Sequence, residues 1–513
     1  MNEQNTYDEV PYPDLAFQRT PPNRTAAMAA LFGLAPAHPQ HARILELGCA
    51  AGGNLLPMGV ELPDAELLGI DLSAKQIEAG EAVRREAGIS NVTLRQANLL
   101  DLDASLGRFD YIIAHGVFSW VPAAVQDKLL DICRDNLAPN GVAYVSYNCY
   151  PGWHFRGALR DMMLYHVAGF PDPATRILQA RALLDFLVAQ GSAGPYADML
   201  KAEAEAIRGE PDGYFYHEYL ELNNHPIHFH EFVRRAHAKN LHYLGETRLA
   251  VTNDSSLKAE AANVLERISG NDPVRRGQYL DFLRNRSFRE SLLVHGGQTI
   301  GRRPDWQPIR QCWVSSSLKP EHPAFDPGSP EPAVFVSAAG IQIRLSDPLA
   351  KTAQAILLEN HPRPLAFSLL VEAARERLKS SRPQEQDETN MGKFILEAYG
   401  YGIMDVLAHP WPCASTIGDK PRTSPLARVQ ARAGRSVVNL AHQHLDNLSA
   451  DVLELIGLLD GERTVDEAID ALFRRVDPER IKAQAGEPAR MREGFSDSMR
   501  GLVANLRDSG MLL

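Results

Sequence analysis

A glycine-rich turn at residues 44–54, with the sequence ILELGCAAGGN, constrains this 513-residue chain more than any other feature. The apolar run before Gly48 predicts a strand, and the residues after Gly53 predict the start of a helix. Glycines let the backbone approach a ligand closely, and the first helical turn offers free N–H groups. A second predicted strand ends at Asp71, whose carboxylate can accept hydrogen bonds from both hydroxyls of a ribose. The sequence therefore predicts a nucleoside-containing cofactor at the C-terminal edge of a parallel sheet.

Two cofactors fit a turn of this kind. Gly48, Ala50 and Gly53 match a loose G-x-A-x-x-G dinucleotide fingerprint, which is weak evidence by itself. A pyrophosphate disfavours a carboxylate beside the turn, yet Glu46 lies two residues before Gly48. S-adenosylmethionine has no phosphate, and its amino and sulfonium groups tolerate nearby negative charge. We therefore expect S-adenosylmethionine, with a dinucleotide site and an ordinary turn without ligand as the alternatives.

Composition describes an ordinary globular protein, because 44% of the residues are hydrophobic and 23% are charged. The net charge of -11 predicts no general attraction to nucleic acid or to anionic membranes. The five scattered cysteines form neither a disulfide framework nor a paired C-x-x-C metal site. The polar residues 1–4 do not resemble a signal peptide, and no apolar run of membrane-spanning length appears. We expect a cytoplasmic protein without membrane insertion.

Predicted strands and helices alternate from residue 41 onward, which is typical of an α/β fold with a Rossmann-like parallel sheet. We expect residues 1–300 to form one domain, with the cofactor-binding core at 41–150. The region 151–300 has a helical texture and is predicted as an insertion followed by the last strands. Residues 301–345 are predicted as a linker with a hairpin.

The remaining sequence contains a degenerate repeat of three helices and a strand. It predicts two winged-helix-like modules, at 346–415 and 449–513, in a mainly helical C-terminal region. The first two helices of the second module are expected within 449–476. Residues 416–448 between the modules are predicted as a linker, and its arginine-rich stretch 420–435 as solvated rather than as a nucleic-acid patch.

Aromatic side chains are frequent in the loops after the fourth and fifth predicted strands, HGVFSWVP at 115–122 and YNCYPGWH at 147–154. Ligands of doubly wound sheets bind outside the carboxyl ends of the strands, so both loops should border the reactive group of the cofactor. Aromatic faces attract cations, including a sulfonium and a methylated ammonium.

Several separated motifs resemble a bacterial family of class I methyltransferases that carry a methyltransferase regulatory domain. They are ELGCAAGGNLLPM, HGVFSWVP, YNCYPGW, the N-terminal YDEVPYPDLAFQRTPPNR and the later YLDFLRNRSFRESLLVH. The best-known relatives in that family are rickettsial lysine methyltransferases, and the resemblance spans nearly the whole chain. It implies methyl transfer from S-adenosylmethionine, with a lysine of a protein substrate as the acceptor.

By match of motif, the resemblance also implies where the cofactor lies. The turn would line its methionine part, the end of the second strand its ribose, and the end of the third its adenine. The residue at the adenine position is often Asp in such enzymes, whereas this chain has Asn. The implied cofactor-binding residues are Glu46, Gly48, Cys49, Gly52, Asp71, Leu72, Asn98, Leu99 and His115.

Lysine methylation is an in-line displacement at carbon, so a protein mainly positions and desolvates the amine. A free lysine has a pKa of about 10.4, and only its neutral form attacks. A partly apolar aromatic channel would lower that pKa. We predict that the hydroxyl of Tyr147 accepts a hydrogen bond from the amine. The predicted channel residues are Tyr147, Trp153, Trp120 and Tyr12.

Two other functions stay open on sequence alone. The chain can be a small-molecule methyltransferase whose extra domains form a homodimer, or a cofactor-binding interaction protein without turnover. A metal site is not expected, because two of its four candidate ligands begin a predicted amphipathic helix. Those candidates are His225, His228, His230 and Glu231.

Overall fold

Strands that alternate with helices form one large sheet in the N-terminal part of the computed structural model. The structure describes residues 6–191, 193–252, 257–337, 340–475 and 488–513. The sheet consists of β1 (Arg43–Leu47), β2 (Glu66–Asp71), β3 (Val92–Gln96), β4 (Phe109–Ala114), β5 (Leu137–Asn148), β6 (Leu241–Glu246) and β7 (Phe288–His295). Its strand order is β3-β2-β1-β4-β5-β7-β6, and β7 runs antiparallel to both neighbours. The expected Rossmann-like α/β fold is confirmed.

Helices cover both faces of this sheet, which explains why β1 is apolar at successive positions. Ile44 packs with the helices Pro22–Leu31 and Leu55–Glu61 on one face, and its neighbour Leu45 packs with the helices Ala123–Asn136 and Phe229–Ala238 on the other. The helices of this part are α1 (Thr6–Glu9), α2 (Pro22–Leu31), α3 (Leu55–Glu61), α4 (Ala74–Glu86), α5 (Ala123–Asn136), α6 (Trp153–Val167), α7 (Pro173–Gln190), α8 (Pro195–Arg208), α9 (Asp212–Tyr219), α10 (Phe229–Ala238), α11 (Ala259–Ser269) and α12 (Pro273–Arg284).

The predicted helical insertion consists of α6 to α9, which share a hydrophobic core of their own. After it, β6 and β7 complete the sheet around a buried arginine. Arg289 on β7 lies 2.6 Å from Glu246 and 2.8 Å from Asp281, and its guanidinium stacks over the ring of Phe229. Removing one partner of such a buried network leaves an uncompensated charge. The network therefore fixes β7 against β6 and α12.

The region predicted as the first winged-helix-like module contains α13 (Pro348–Asn360), α14 (Phe367–Leu378) and α15 (Gln384–Gly400). Its strands β12 (Leu365–Ala366) and β13 (Asp405–Leu407) flank β8 (Trp313–Ser315), which comes from the predicted linker. The predicted hairpin is β10 (Ala333–Val336) with β11 (Gln342–Leu345), and β9 (Lys319–Pro320) extends it. The core of this module is continuous with that of α2.

The second C-terminal module contains α17 (Ala450–Leu458), α18 (Val465–Phe473) and α19 (Pro488–Asp508) around a separate core. Residues 416–448 differ from the solvated linker that the sequence predicted. They contain α16 (Pro425–Arg432) and a hairpin of β14 (Val437–Val438) and β15 (His444–Leu445). The apolar side of α16 is buried, and Ser424 caps the helix by accepting a hydrogen bond from the Ala427 backbone.

Two predictions fall outside the described residues, namely the polar N-terminal stretch 1–4 and the end of the second module's second helix at Val476. Within the described ranges, none of the helices combines the length and the apolar character that a membrane crossing requires.

Candidate active site

The turn after β1 approaches neighbouring strands so closely that its glycines are required. Gly48 has a φ of +74°, and a Cβ there would lie 2.4 Å from Cγ2 of Val117, which follows β4. Gly52 has a φ of +81°, while Ala50 adopts the left-handed region at +48° in spite of its side chain. The left-handed region costs an L-residue about 1–2 kcal/mol. This turn therefore keeps an unfavourable backbone shape beside the C-terminal ends of β1 and β4.

Asp71, at the end of β2, ties the turn to the next helix. Its Oδ2 accepts a hydrogen bond of 2.8 Å from the Ala50 backbone, and its Oδ1 accepts one of 2.8 Å from the Ser73 backbone. Each carboxylate oxygen has a further lone pair with which it can accept a hydroxyl. Burial raises the pKa of Asp71, and the backbone donors oppose that shift in part. The carboxylate is thus held in place for a diol.

Glu46 is 3% exposed, and only one of its carboxylate oxygens is satisfied. Oε1 accepts a hydrogen bond of 2.6 Å from Asn54 Nδ2, while Oε2 has no partner among the described atoms. Burial raises the pKa of Glu46 to about 8, and the charges of Asp14 and Asp71 add to that effect. A buried carboxylate without a full set of partners is unfavourable unless a cation or donor reaches it.

The donor set around the turn fits the expected cofactor. S-adenosylmethionine carries a ribose diol, an ammonium group and a sulfonium. The carboxylate of Asp71 suits the diol, and the free oxygen of Glu46 suits a positively charged donor. The charges of Asp14 and Asp71 both raise the pKa of Glu46, and negative charge gathered in this way would repel a phosphate and attract a cation.

The N-terminal arm, residues 8–20, closes over this turn. The Phe17 backbone donates a hydrogen bond of 2.9 Å to Asn54 Oδ1, and Thr20 Oγ1 donates one of 2.8 Å to the same atom. Asp14 packs against Gly53, where a Cβ would lie 2.2 Å from Oδ1 of Asp14. The sequence predicted Tyr12 of this arm as a channel residue, but it did not predict the contacts that Asp14, Phe17 and Thr20 make with the turn.

A second distant segment, the β14–β15 hairpin, meets the same turn. His442 Nε2 lies 2.9 Å from Asn54 Oδ1, and the Ala16 backbone of the arm donates a hydrogen bond to His444 Nε2. Burial lowers the pKa of His442 to about 3, so its imidazole is neutral. No sequence signal pointed to this hairpin, because the contact is between residues almost 400 positions apart, 388 for His442 and Asn54.

The predicted adenine end of the site is more open than the turn. Leu72 is 55% exposed, and the Asn98 side chain caps a short 3-10 turn by accepting a hydrogen bond from the Leu100 backbone. Leu99 is half-buried beside Asn98. The Cys49 side chain is buried in the core, so only its backbone can face a ligand. Leu72 and Leu99 therefore offer an apolar rim near Asp71.

His115, directly after β4, is the centre of an aromatic cluster. Its ring stacks on Phe17 of the arm at 3.7 Å between centroids and lies 5.8 Å from Phe288. His115 Nδ1 is 2.7 Å from the hydroxyl of Tyr144, which donates to Glu290 Oε1 at 3.1 Å. Burial, with a smaller contribution from Arg19, lowers the pKa of His115 to about 3. Glu290 Oε2 is in turn ion-paired with Arg19 at 2.6 Å. The cluster next to Phe17 therefore consists of neutral rings and one compensated carboxylate.

The structure brings only two of the four predicted channel residues together. The indoles of Trp120 and Trp153 contact edge to face at 5.9 Å, although Trp153 is only 2% exposed. Tyr12 lies apart from them and packs on Tyr214 and His217, where α9 of the insertion meets the arm.

Tyr147 does not lie where the sequence placed it. It is 1% exposed, its ring stacks on Phe232 of α10 at 3.9 Å, and its hydroxyl is 3.0 Å from Ser291 Oγ. Successive side chains of a strand point to opposite faces, so residues three apart on β5 face opposite ways. Tyr144 therefore reaches His115, and Tyr147 is directed into the core beneath α10. Tyr144 and Glu290 were missed because their position depends on the pairing of β5 with β7.

His228 and His230, two of the four candidate metal ligands, contact other side chains. His228 stacks near His230 at 5.5 Å, and His230 Nδ1 is 2.9 Å from Oε1 of Gln278. Across the described ranges, the structure holds no group of three or more histidine, cysteine or acidic side chains arranged for a metal ion.

Three family models match successive parts of the chain. A methyltransferase domain matches residues 45–143, and a domain described as a predicted methyltransferase regulatory domain matches residues 211–295. The PKMT C-terminal winged helix domain matches residues 419–506. The first of these models contains the turn and Asp71, the second contains β6 and β7, and the third contains the β14–β15 hairpin.

Solved structures and curated proteins match almost the entire chain. The structure of PKMT2 from Rickettsia typhi has a TM-score of 0.87 at 30% identity, covering 98% of this chain and 100% of that one. Its complex with AdoHcy has a TM-score of 0.86 at 30% identity with the same coverage. The uncharacterized protein RP789 of Rickettsia prowazekii (strain Madrid E) is 34% identical over 506 residues, 96% of this chain and 88% of that protein.

Proposed function

Because the chain belongs to the family of S-adenosylmethionine-dependent methyltransferases with a methyltransferase regulatory domain and a PKMT winged helix domain, we propose that it methylates lysine side chains of proteins. The cofactor is S-adenosylmethionine, whose demethylated product AdoHcy occupies the related PKMT2 structure. PKMT abbreviates protein lysine methyltransferase, which is a statement about those relatives. That the acceptor of this chain is also a lysine of a protein is our proposal.

The observation that carries the proposal is the aromatic cluster around His115. The rings of Phe17, Phe288 and Tyr144 enclose a neutral imidazole, and the carboxylate of Glu290 lies behind them. Aromatic faces attract an ammonium, and burial among them favours its neutral, nucleophilic form, while the charge of Glu290 is compensated by Arg19. A lysine side chain, with an apolar stem and a cationic tip, fits such surroundings.

The roles of the chain's own residues follow from this arrangement. When bound, the cofactor supplies a methyl group on a positively charged sulfur. The arm excludes water from the turn through Phe17, and Asp71 holds the diol that fixes the cofactor's direction. Tyr144 and Glu290 orient the ring of His115, which accepts a hydrogen bond from the incoming amine. Methyl transfer then depends chiefly on position and desolvation.

The size of the chain outside the sheet supports a macromolecular acceptor. Outside the sheet the chain carries an insertion, a regulatory region and two C-terminal modules, whereas a small metabolite needs far less surface. These parts also match the PKMT2 structure over its entire length. We propose that Trp120, which is half-buried and packs on the buried Trp153, forms part of the surface that the substrate crosses.

A transfer assay with S-adenosylmethionine labelled in its methyl group tests this function. Purified enzyme is incubated with a bacterial proteome and, separately, with its small-molecule fraction, and Asp71→Ala serves as the inactive control. We expect label in protein bands and methylated lysine after acid hydrolysis. Label confined to soluble metabolites would establish the small-molecule alternative, and cofactor binding without transfer in either fraction would contradict the proposal.

A further inference from the structure

The N-terminal arm places a second carboxylate beside that of Glu46. Asp14 lies against Gly53 at the start of α3, and its charge acts on Glu46. Asp14 Oδ1 is buried and, like Glu46 Oε2, has no hydrogen-bond partner among the described atoms. The two acidic side chains come from different segments, the arm and the end of β1, about thirty residues apart in sequence.

We propose that Asp14 and Glu46 together bind the amino group of S-adenosylmethionine, so that the arm supplies part of the cofactor site. The two free oxygens then accept two of the three N–H groups of the ammonium. This inference depends on the cofactor and not on the identity of the methyl acceptor.

Charge explains why an ammonium suits this place. Two buried carboxylates repel one another, and each is costly to keep ionised without a partner. Burial raises the pKa of Asp14, and the charge of Arg435, which precedes the β14–β15 hairpin, and a hydrogen bond from the Gly53 backbone oppose that shift only in part. A cation between Asp14 and Glu46 removes both the repulsion and the two unsatisfied oxygens.

The arm's other contacts suit a segment that closes on the cofactor. Phe17 donates its backbone N–H to Asn54 and stacks on His115, while the Ala16 backbone bonds to His444. Asp14 is the arm residue that reaches beside Glu46. The arm is therefore expected to be held more firmly when a ligand with an amino group is bound.

Two ligands separate this role from a general effect on folding. S-adenosylhomocysteine carries the amino group, and 5′-methylthioadenosine shares its adenosine but lacks the amino acid part. Calorimetric dissociation constants of both ligands are measured for the full-length protein, for Asp14→Asn and for Glu9→Gln. Glu9 is an exposed carboxylate of the same arm, so that variant removes an equal charge.

Asp14→Asn should weaken S-adenosylhomocysteine about tenfold to thirtyfold, the loss typical of a charged hydrogen bond, and leave 5′-methylthioadenosine within about twofold. Glu9→Gln should leave both constants unchanged. Amide hydrogen exchange in residues 8–20 should slow with S-adenosylhomocysteine in the wild type and not in Asp14→Asn. Equal weakening of both ligands, or no weakening of either, would overturn the inference. If Asp14→Asn weakens only S-adenosylhomocysteine as expected, but the wild type transfers no methyl group to lysine, only the proposed function is contradicted.

Discussion

The active site has two halves that differ in how the chain builds them. The cofactor half, Glu46 and Asp71 with the turn between β1 and α3, comes from one short stretch of sequence. The acceptor half, His115 with Tyr144 and Glu290, needs three strands and the arm. The chemistry of the cofactor can therefore be inferred from a local sequence motif. The residues around the acceptor cannot, because strand pairing brings them together from distant parts of the chain.

If the halves are separable, changes in the cofactor half should weaken cofactor binding, and changes in the acceptor half should reduce turnover alone. The largest effect is expected for Asp71→Ala, which removes the acceptor of both ribose hydroxyls and of two backbone N–H groups. We expect the affinity for S-adenosylhomocysteine to fall at least about a hundredfold in calorimetry. The control Asp64→Ala removes an exposed carboxylate that bonds only to Gln40 among the described residues. Unchanged affinity in Asp71→Ala would break the assignment of the ribose.

The second prediction concerns Gly48→Ala. A Cβ there would lie 2.4 Å from Val117 Cγ2 at a φ of +74°. We expect a loss of about 2 kcal/mol in the free energy of unfolding, with weaker cofactor binding, measured by urea denaturation. Gly88→Ala is the matched control, because Gly88 has a φ of +68° and nothing within 4 Å. Gly88→Ala should lower the free energy of unfolding only by the cost of placing a side chain at a positive φ. Equal costs at both positions would show that contact with Val117 is not limiting.

The third prediction compares the two tyrosines of β5. Tyr144→Phe removes the hydroxyl between His115 and Glu290 and should lower kcat about tenfold, which corresponds to about the free energy of one hydrogen bond. Tyr147→Phe removes only the contact with Ser291 and should lower stability by about 1 kcal/mol, with kcat unchanged. Both variants should bind S-adenosylhomocysteine like the wild type. A selective loss of kcat in Tyr147→Phe would restore the role that the sequence predicted for this residue.

The smallest effect concerns pH. Burial raises the pKa of Glu46 to about 8, so in the free protein the folded state holds a proton there that the unfolded chain releases near pH 4.5. This group therefore makes folding less favourable as the pH rises from about 4.5 to 8. Asp14 and Asp71 face it with like charge, and Asn54 donates to it.

A bound ammonium favours the ionised carboxylate, so cofactor binding should release a proton below pH 8. Affinity for S-adenosylhomocysteine should rise about fivefold from pH 7 to pH 8. Calorimetry in buffers of different ionisation enthalpy measures the released proton directly. Glu46→Gln should release none from this position. An affinity of the wild type that does not change with pH would contradict the inference that Glu46 is protonated in the free protein and becomes ionised when the ligand binds.

Sequence reasoning recovered the elements whose signal is local. The seven strands of the sheet follow apolar runs, and the turn after β1 is readable from its glycines. Sequence reasoning misplaced Tyr147 because an aromatic residue next to a loop is expected to be accessible. Which face of the sheet it points to depends on the alternation of side chains along β5. Ser424 followed by Pro425 was a readable helix start that the arginine-rich surroundings of α16 concealed.

The contacts of the arm and of the β14–β15 hairpin with the turn after β1 could not be predicted from the sequence. Asn54 joins Glu46, the arm and His442, and each partner comes from a different part of the chain. Such contacts depend on how the C-terminal modules pack against the sheet. No residue pattern within the arm or the β14–β15 hairpin indicates the contact partner.

Mass spectrometry of protein substrates, after reaction with S-adenosylmethionine that carries a deuterated methyl group, shows directly whether lysine is the acceptor. We expect deuterated methyl groups on lysine side chains with the wild type, strongly reduced incorporation with Tyr144→Phe, and none with Asp71→Ala. Deuterated methyl groups only on other residue types, or only on small molecules, would contradict the proposed function.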